Sequence, residues 1–239
     1  MRQLLAVSEM LDRLLTRIGN WAAWLLVPLV AVIIVDVITR KFNLLSGLTE
    51  SLRAGGNEGG AHFVESYLTS TKFQEMEWHL HAALFLLCLG YGYVRNSHVR
   101  IELVRERFDL ETRAWTEFIG CIVFLLPYAS LVLWFSIDFT QRSFAMNEVS
   151  SALTGLPYRW VIKSFVPIGM VLLLLAGFAV AARNAVFLFG PPDLRDRAQR
   201  ESPELHLAAE ELIEAVTEEA KEIVGQSGSV AGGKTEQDR

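Results

Sequence analysis

The sequence predicts an all-α integral membrane protein. Three observations carry that prediction. The 239 residues are 51% hydrophobic with a mean hydropathy of +0.30, too apolar for an ordinary soluble domain. The apolar residues stand in long blocks, and crossing a bilayer as a helix takes roughly 20 of them. The alternation of a barrel strand is missing, which leaves the helix as the structure that satisfies its own backbone groups in lipid.

The elements follow in chain order. In residues 1–19, Leu4, Val7, Leu11, Leu14, Leu15 and Ile18 recur at helical spacing, with Arg2, Asp12, Arg13 and Arg17 around them. This is an amphipathic helix, expected to lie in the membrane interface with its basic residues near headgroups; packing on a partner subunit is the other reading. Residues 20–189 contain four apolar blocks, at 21–38, 78–94, 116–137 and 163–187, expected to be four transmembrane helices. The first reads as a retained span, because it follows a charged stretch and ends in Thr39-Arg40-Lys41 without a small-x-small cleavage site. The second is the weakest, with His79 and His81 in its first turn. Pro28, Pro127 and Pro167 are expected to bend their helices. Between the first two spans, the run from Arg53 to Gly60 reads as a flexible linker by composition.

Residues 190–239 form an acidic tail. Gly190-Pro191-Pro192 stops the fourth helix, and Ser202-Pro203-Glu204 opens a C-terminal soluble helix with Ser as N-cap and Pro at N1. The residues from Gly225 onward are expected to be disordered. The tail also accounts for the charge. From Pro191 to Arg239 there are 6 basic and 12 acidic residues, whereas the other 190 residues carry a net charge of +1. Nothing here favours nucleic acid as a partner.

Lys and Arg placement sets the expected orientation. One side collects Arg2, Arg13, Arg17, Arg95, Arg100, Arg105, Arg107, Arg113, Arg183, Arg195, Arg197 and Arg200. The other has Arg40, Lys41, Arg53, Lys72, Arg142, Arg159 and Lys163. Both termini are therefore expected in the cytoplasm.

The sequence offers no catalytic set, with no phosphate loop, dinucleotide turn, zinc-protease helix or nucleophile elbow. Cys88 and Cys121 lie inside apolar spans and read as small hydrophobes. His79 and His81 point in directions roughly 200° apart on a helix and cannot share a metal, so no metal or cofactor is expected. Glu75 with His79 and Glu77 with His81 do share faces. A haem-bearing membrane anchor is the alternative class, but the first, third and fourth spans hold no histidine to supply an axial ligand. Asp36, Glu117 and Asp138 sit near span ends, where burial of charge costs less, and Asp36 has Arg40 one turn on as a partner.

Two phrases suggest an identity. The first is Glu75-Met76-Glu77-Trp78-His79, a Leu- and Gly-rich run containing Gly90, and then Asn96-Ser97-His98-Val99-Arg100-Ile101-Glu102. The second is Gly155-Leu156-Pro157-Tyr158-Arg159-Trp160-Val161-Ile162-Lys163, followed by Pro167-Ile168-Gly169. Together they resemble the DctQ family, the small membrane subunit of tripartite ATP-independent periplasmic (TRAP) transporters, in its mannitol/chloroaromatic or 2-oxo-acid branch. The resemblance covers residues 15 to 185. It implies a non-catalytic permease subunit in a bacterial inner membrane. Such a subunit scaffolds the large membrane subunit of a sodium-coupled transporter for organic acids and helps dock the periplasmic binding protein. Glu75, Glu77, Trp78, His98, Arg100, Arg105, Arg159, Trp160 and Lys163 are the candidate subunit-interface or membrane-boundary residues. The first loop and the acidic tail are longer than the family pattern leads one to expect.

Overall fold

The computed structural model describes residues 1–97, 108–152 and 154–202, with His206, Ile213 and Thr217 beyond them. The described residues are helical, with no strand among them. In order they form α1 (Arg2–Ala23), α2 (Leu26–Lys41), α3 (Leu44–Ala54), α4 (Glu58–Tyr67), α5 (Ser70–Val94), α6 (Leu110–Ile119), a π-helical segment (Gly120–Leu125), α7 (Leu126–Ala145), α8 (Trp160–Phe189) and α9 (Pro192–Glu201). Most of the expected C-terminal helix after Ser202 lies outside the described residues.

Among the described residues, three helical runs are long and apolar enough to cross a membrane: Arg2–Lys41, Leu110–Ala145 and Trp160–Phe189. They have 40, 36 and 30 residues. At 1.5 Å per residue the shortest is about 45 Å long against a hydrocarbon layer of about 30 Å, so each extends past the layer or tilts within it. α5 has 25 residues, enough in length, but Lys72, Glu75, Glu77 and two histidines dilute its first half.

Two prolines explain the interruptions in these runs. A helical proline lacks the N–H its own position needs and crowds the carbonyl four residues back. For Pro28 that carbonyl belongs to Trp24, and α1 gives way to α2 through a turn at Trp24–Leu25. There Leu25 N–H donates to Ala22 O at 2.9 Å and Val27 N–H to Trp24 O at 3.2 Å, both tighter i→i−3 bonds. For Pro127 the crowded carbonyl is Val123, inside the π-helical segment. Widening of the ladder is a common way to absorb such a conflict. Pro167 sits inside α8 without breaking it.

Three asparagines stop three helices. Asn43, Asn96 and Asn147 have φ of 49°, 57° and 46° just after α2, α5 and α7. Asparagine is one of the few residues besides glycine that takes this left-handed conformation readily. After α7 the chain turns back so that Glu148 N–H donates to Ser143 O at 3.0 Å. After α5, Ser97 N–H donates to Gly92 O at 2.9 Å.

α8 is the axis of the bundle. Its buried positions run from Ile162 to Phe187 and include Gly169, Leu172, Ala176, Gly177, Ala179 and Ala181. α5 runs parallel to it at close range. A Cβ on Gly90 would come within 2.7 Å of Leu172 O, and one on Gly169 within 2.9 Å of Leu86 O. Such small residues let helix backbones approach, the main source of helix association in lipid. α1 runs antiparallel to α8: Leu5 packs with Val186 and Phe187, and Leu15 with Leu172 and Ala176. Ser8 Oγ donates to Ala179 O at 2.9 Å and Arg183 lies 3.6 Å from Asp12. The chain's own helices thus cover the face of α1 formed by Leu5, Ser8, Leu11, Leu15 and Gly19. Val7, Met10 and Leu14 stay exposed on another face. α7 also runs antiparallel to α8, with Thr140 Oγ1 donating to Lys163 O at 3.1 Å.

The segment read as a flexible linker is a helical hairpin instead. Gly55 and Gly56 turn the chain between α3 and α4, Gly56 at φ +71°. Asn57 caps α4 by accepting Gly60 N–H at 2.9 Å. Arg53 and Glu65 close the hairpin with two bonds of 2.8 and 2.9 Å. Glycine content suggested flexibility; in place, the two glycines are the turn that lets two short helices pair.

Candidate functional site: a carboxylate cluster at the head of α5 and α8

Glu75 is the centre of this site. It lies in the second turn of α5, one turn before the apolar run begins, and it is 8% exposed. A carboxylate so buried needs donors. Ser150 Oγ donates to Oε1, and the backbone N–H of Leu156 donates to Oε2 at 2.5 Å. Both donors belong to the loop between α7 and α8. Gly155 makes the approach possible: a Cβ there would fall 2.7 Å from Glu75 Oε1 and collide with Ser150. Thr69, the N-cap of α5, donates from Oγ1 to Thr154 O at 3.4 Å.

The loop is tied to α8 as well. Lys163 forms an ion pair with Glu148, and Lys163 Nζ lies 4.0 Å from the Phe139 ring centroid. Arg159 N–H donates to Glu148 O at 3.1 Å. The Lys163 bond, the largest influence on Glu148, holds its carboxyl below the usual carboxylate range. Tyr158 takes φ +60°, an unusual value for an aromatic residue, at the entry to α8.

Aromatic side chains surround these charges. The Arg159 guanidinium lies 5.5 Å from the Trp78 ring centroid. Trp78 and His79 have centroids 4.0 Å apart, and His79 Nδ1 lies 2.5 Å from Glu75 O. Phe144 meets Trp160 edge to face at 5.2 Å. Trp over basic residues at a helix end is the composition of a bilayer boundary.

α2 joins the same layer. Asp36, 1% exposed, is ion-paired with Arg40 and accepts Ser70 Oγ–H at 2.9 Å. The Asp36–Arg40 pair is the one that i,i+4 spacing suggested. On the side of this layer away from the apolar run, Thr39, Arg40, Thr49, Glu65 and Ser70 are among the residues lining a cleft of about 750 Å³ between α2 and the α3–α4 hairpin.

The fold therefore brings six of the nine candidate residues to one end: Glu75, Glu77, Trp78, Arg159, Trp160 and Lys163. Five share the cluster described above. Glu77 faces another direction, one turn from His81, toward a groove between α2 and α5. His98, Arg100 and Arg105 lie outside the described residues. Sequence reasoning missed Ser150 and Glu148, which complete the cluster, and quoted Gly155 only as the start of the second phrase. The local signal for Ser150 and Glu148 was a loop of small and polar residues, from Asn147 to Thr154, that offered donors without naming their acceptor.

The opposite end has its own ties. Arg197 of α9 bonds Glu9 of α1 at 2.7 Å, and Arg195 bonds Glu111 of α6 at 2.6 Å. Trp115, Phe118 and Phe189 form an edge-to-face cluster with centroids 5.4 to 6.2 Å apart. Tyr93 Oη donates to Glu117 Oε1 at 3.0 Å.

A family model described as "Tripartite ATP-independent periplasmic transporters, DctQ component" matches residues 65–186. No curated protein and no solved structure gives a match. The matched stretch covers half of the chain and contains the whole carboxylate cluster except its α2 contribution. The chain thus belongs to the DctQ family: it is the small membrane subunit of a TRAP transporter, a transport component and not an enzyme, and its partners are the large membrane subunit and the periplasmic substrate-binding protein.

Proposed function

We propose that this chain is the scaffold of a sodium-coupled transporter for organic acids, in the mannitol/chloroaromatic or 2-oxo-acid branch of its family. It crosses the inner membrane four times, α5 being the second crossing, with both termini in the cytoplasm. The carboxylate cluster then stands at the periplasmic face, where it braces the surface on which the binding protein docks.

The observation that carries this reading is how the charges at that face are used. Asp36, Glu75 and Glu148 all bond to groups of the same chain. They hold α2, α5, the α7–α8 loop and α8 in one rigid layer. Meanwhile much of α2 and α7 turns apolar side chains outward, among them Val30, Ile34, Leu131 and Phe135. A braced rim over outward-facing apolar helices suits a support for a larger membrane protein. The alternating helix directions, α1 and α7 antiparallel to α8 and α5 parallel to it, support an even number of crossings, and the Lys/Arg bias supports the orientation.

Coexpression with the large subunit and the binding protein tests the reading. The two membrane subunits should copurify, and sodium-dependent uptake of an organic acid into proteoliposomes should require both. Uptake by the large subunit alone, at the rate of the pair, would remove the scaffolding role.

A further inference from the structure

α7 has two unlike sides. Its buried positions are Ala129, Ser136 and Ser143, small residues seven apart, and the helix packs on α8. At 3.6 residues per turn, Leu131 and Trp134 stand roughly opposite that stripe, with Tyr128 and Phe135 flanking them. All four are exposed, and Trp134 the most, at 75%. The indole N–H of Trp134 has no acceptor among the described residues.

Depth makes this position unusual. Trp160 marks the bilayer boundary, and its ring meets Phe144 of α7 edge to face. Trp134 stands ten residues before Phe144 on the same helix. At 1.5 Å per residue it lies about 15 Å inside that boundary, half the thickness of a hydrocarbon layer of about 30 Å. Tryptophan favours the edges of a bilayer, where its ring sits in lipid and its N–H reaches water or headgroups. An indole in the middle of the layer reaches neither edge. The outward side of α2 differs: Val30, Ile34, Val37 and Ile38 are aliphatic, and acyl chains leave nothing on them unpaired.

We propose that the outward side of α7, centred on Trp134, packs against a helix of the large membrane subunit, and that this helix supplies a hydrogen-bond acceptor to the indole N–H in the middle of the membrane. The inference rests on the scaffolding role above and names the surface that performs it. Acyl chains carry no acceptor at this depth, and the periplasmic binding protein meets the membrane at its surface. The large subunit is the family's partner within the bilayer, and a Trp among apolar neighbours is where such contacts concentrate their binding energy. A second copy related by a two-fold axis would meet α7 at equal depth. There it presents Leu131, Trp134 and Phe135, with no acceptor side chain, and crosslinking distinguishes that pairing directly.

The test is photocrosslinking in the intact complex. Benzoylphenylalanine placed at position 134 should, on irradiation in the membrane, give an adduct with the summed mass of the small and large subunits. An adduct of two small subunits would identify a second copy as the occupant and overturn the proposal. A complex that copurifies and gives neither adduct would show α7 facing lipid, with the same consequence. Failure of the unsubstituted subunits to copurify would instead overturn the scaffolding role itself. Separately, Trp134→Ala should lower recovery of the large subunit about tenfold. The unfolding midpoint of the small subunit should stay unchanged, because this side chain covers little of its own bundle. Undiminished recovery would remove Trp134 from the contact. Trp134→Phe, which keeps an aromatic ring and loses the N–H, should recover less large subunit than the unsubstituted chain; equal recovery would remove the hydrogen bond from the proposal.

Discussion

Gly155 shows how a single missing carbon organises this protein. With hydrogen in place of a side chain, the loop comes close enough for Ser150 and the Leu156 N–H to reach Glu75. Adding one methyl group forces Ser150 or the carboxylate aside, and overpacking of this kind typically costs about 1–3 kcal/mol. Gly155→Ala should therefore lower the thermal unfolding midpoint of the purified protein in detergent, and should speed proteolysis between Glu148 and Leu156. An unchanged midpoint with an unchanged cleavage rate would mean that the loop accommodates the methyl at no cost. The sequence made some residue-level pairings legible and hid others for a physical reason. Asp36 and Arg40 are four apart on one helix, so spacing alone predicts their meeting. Glu75 and Ser150 are 75 positions apart, and no local pattern encodes the fold that joins them. The three left-handed asparagines lie between: Asn96 belongs to the family phrase, and its role as a helix stop appears once its φ of 57° is known.

At the scale of elements, the prolines were informative and the glycines misled. Pro28 and Pro127 each sit next to an interruption, as backbone chemistry requires. The Gly-rich stretch between α3 and α4 was read as loose because composition records permissiveness, and permissiveness equally serves a tight turn. The amphipathic pattern caught Leu11 and Leu15 of the buried stripe of α1 but also took in Val7 and Leu14, which are exposed, and pattern alone does not say what covers the stripe; here α5 and α8 do. The loop from Asn147 to Arg159 is where a dependence on pH is expected. Its bond from Lys163 keeps the Glu148 carboxyl below the ordinary carboxylate range. A lowered folded-state pKa means that the bond's contribution is present above the ordinary range and is lost as pH falls through the lowered value. A nitroxide at Ser151 should thus report a restrained loop at neutral pH and a looser one below the ordinary carboxylate range. Lys163→Met should give the looser spectrum at both pH values. A spectrum independent of pH in the unsubstituted protein would separate the loop's order from this ion pair.

For the whole molecule, family and helical class were legible because both depend on what a sequence states directly: long apolar blocks and two short phrases. The packing order was not, since α8 as the axis follows from glycine and alanine positions that meet only in three dimensions. The exact crossing count also depends on α5, whose polar head weakens its apolar signal while serving the cluster. Orientation is the prediction proper to this scale. Reporter fusions should place the α3–α4 turn at Gly56 and the loop at Ser151 in the periplasm, and position 201 in the cytoplasm. A periplasmic signal at position 201 would invert the assignment of the rim.

Biosynthesis gives the carboxylate cluster a further meaning. Chains leave the ribosome at about 5–20 residues per second, and Ser150 follows Glu75 by 75 residues. The acceptor is thus made several seconds before its donors, with α6 and α7 synthesised between them. Its bonds close when the loop preceding α8 has arrived at the same rim. Glu75 therefore gains its partners only once the chain has been made through Leu156, which makes the rim a late-forming part of the fold.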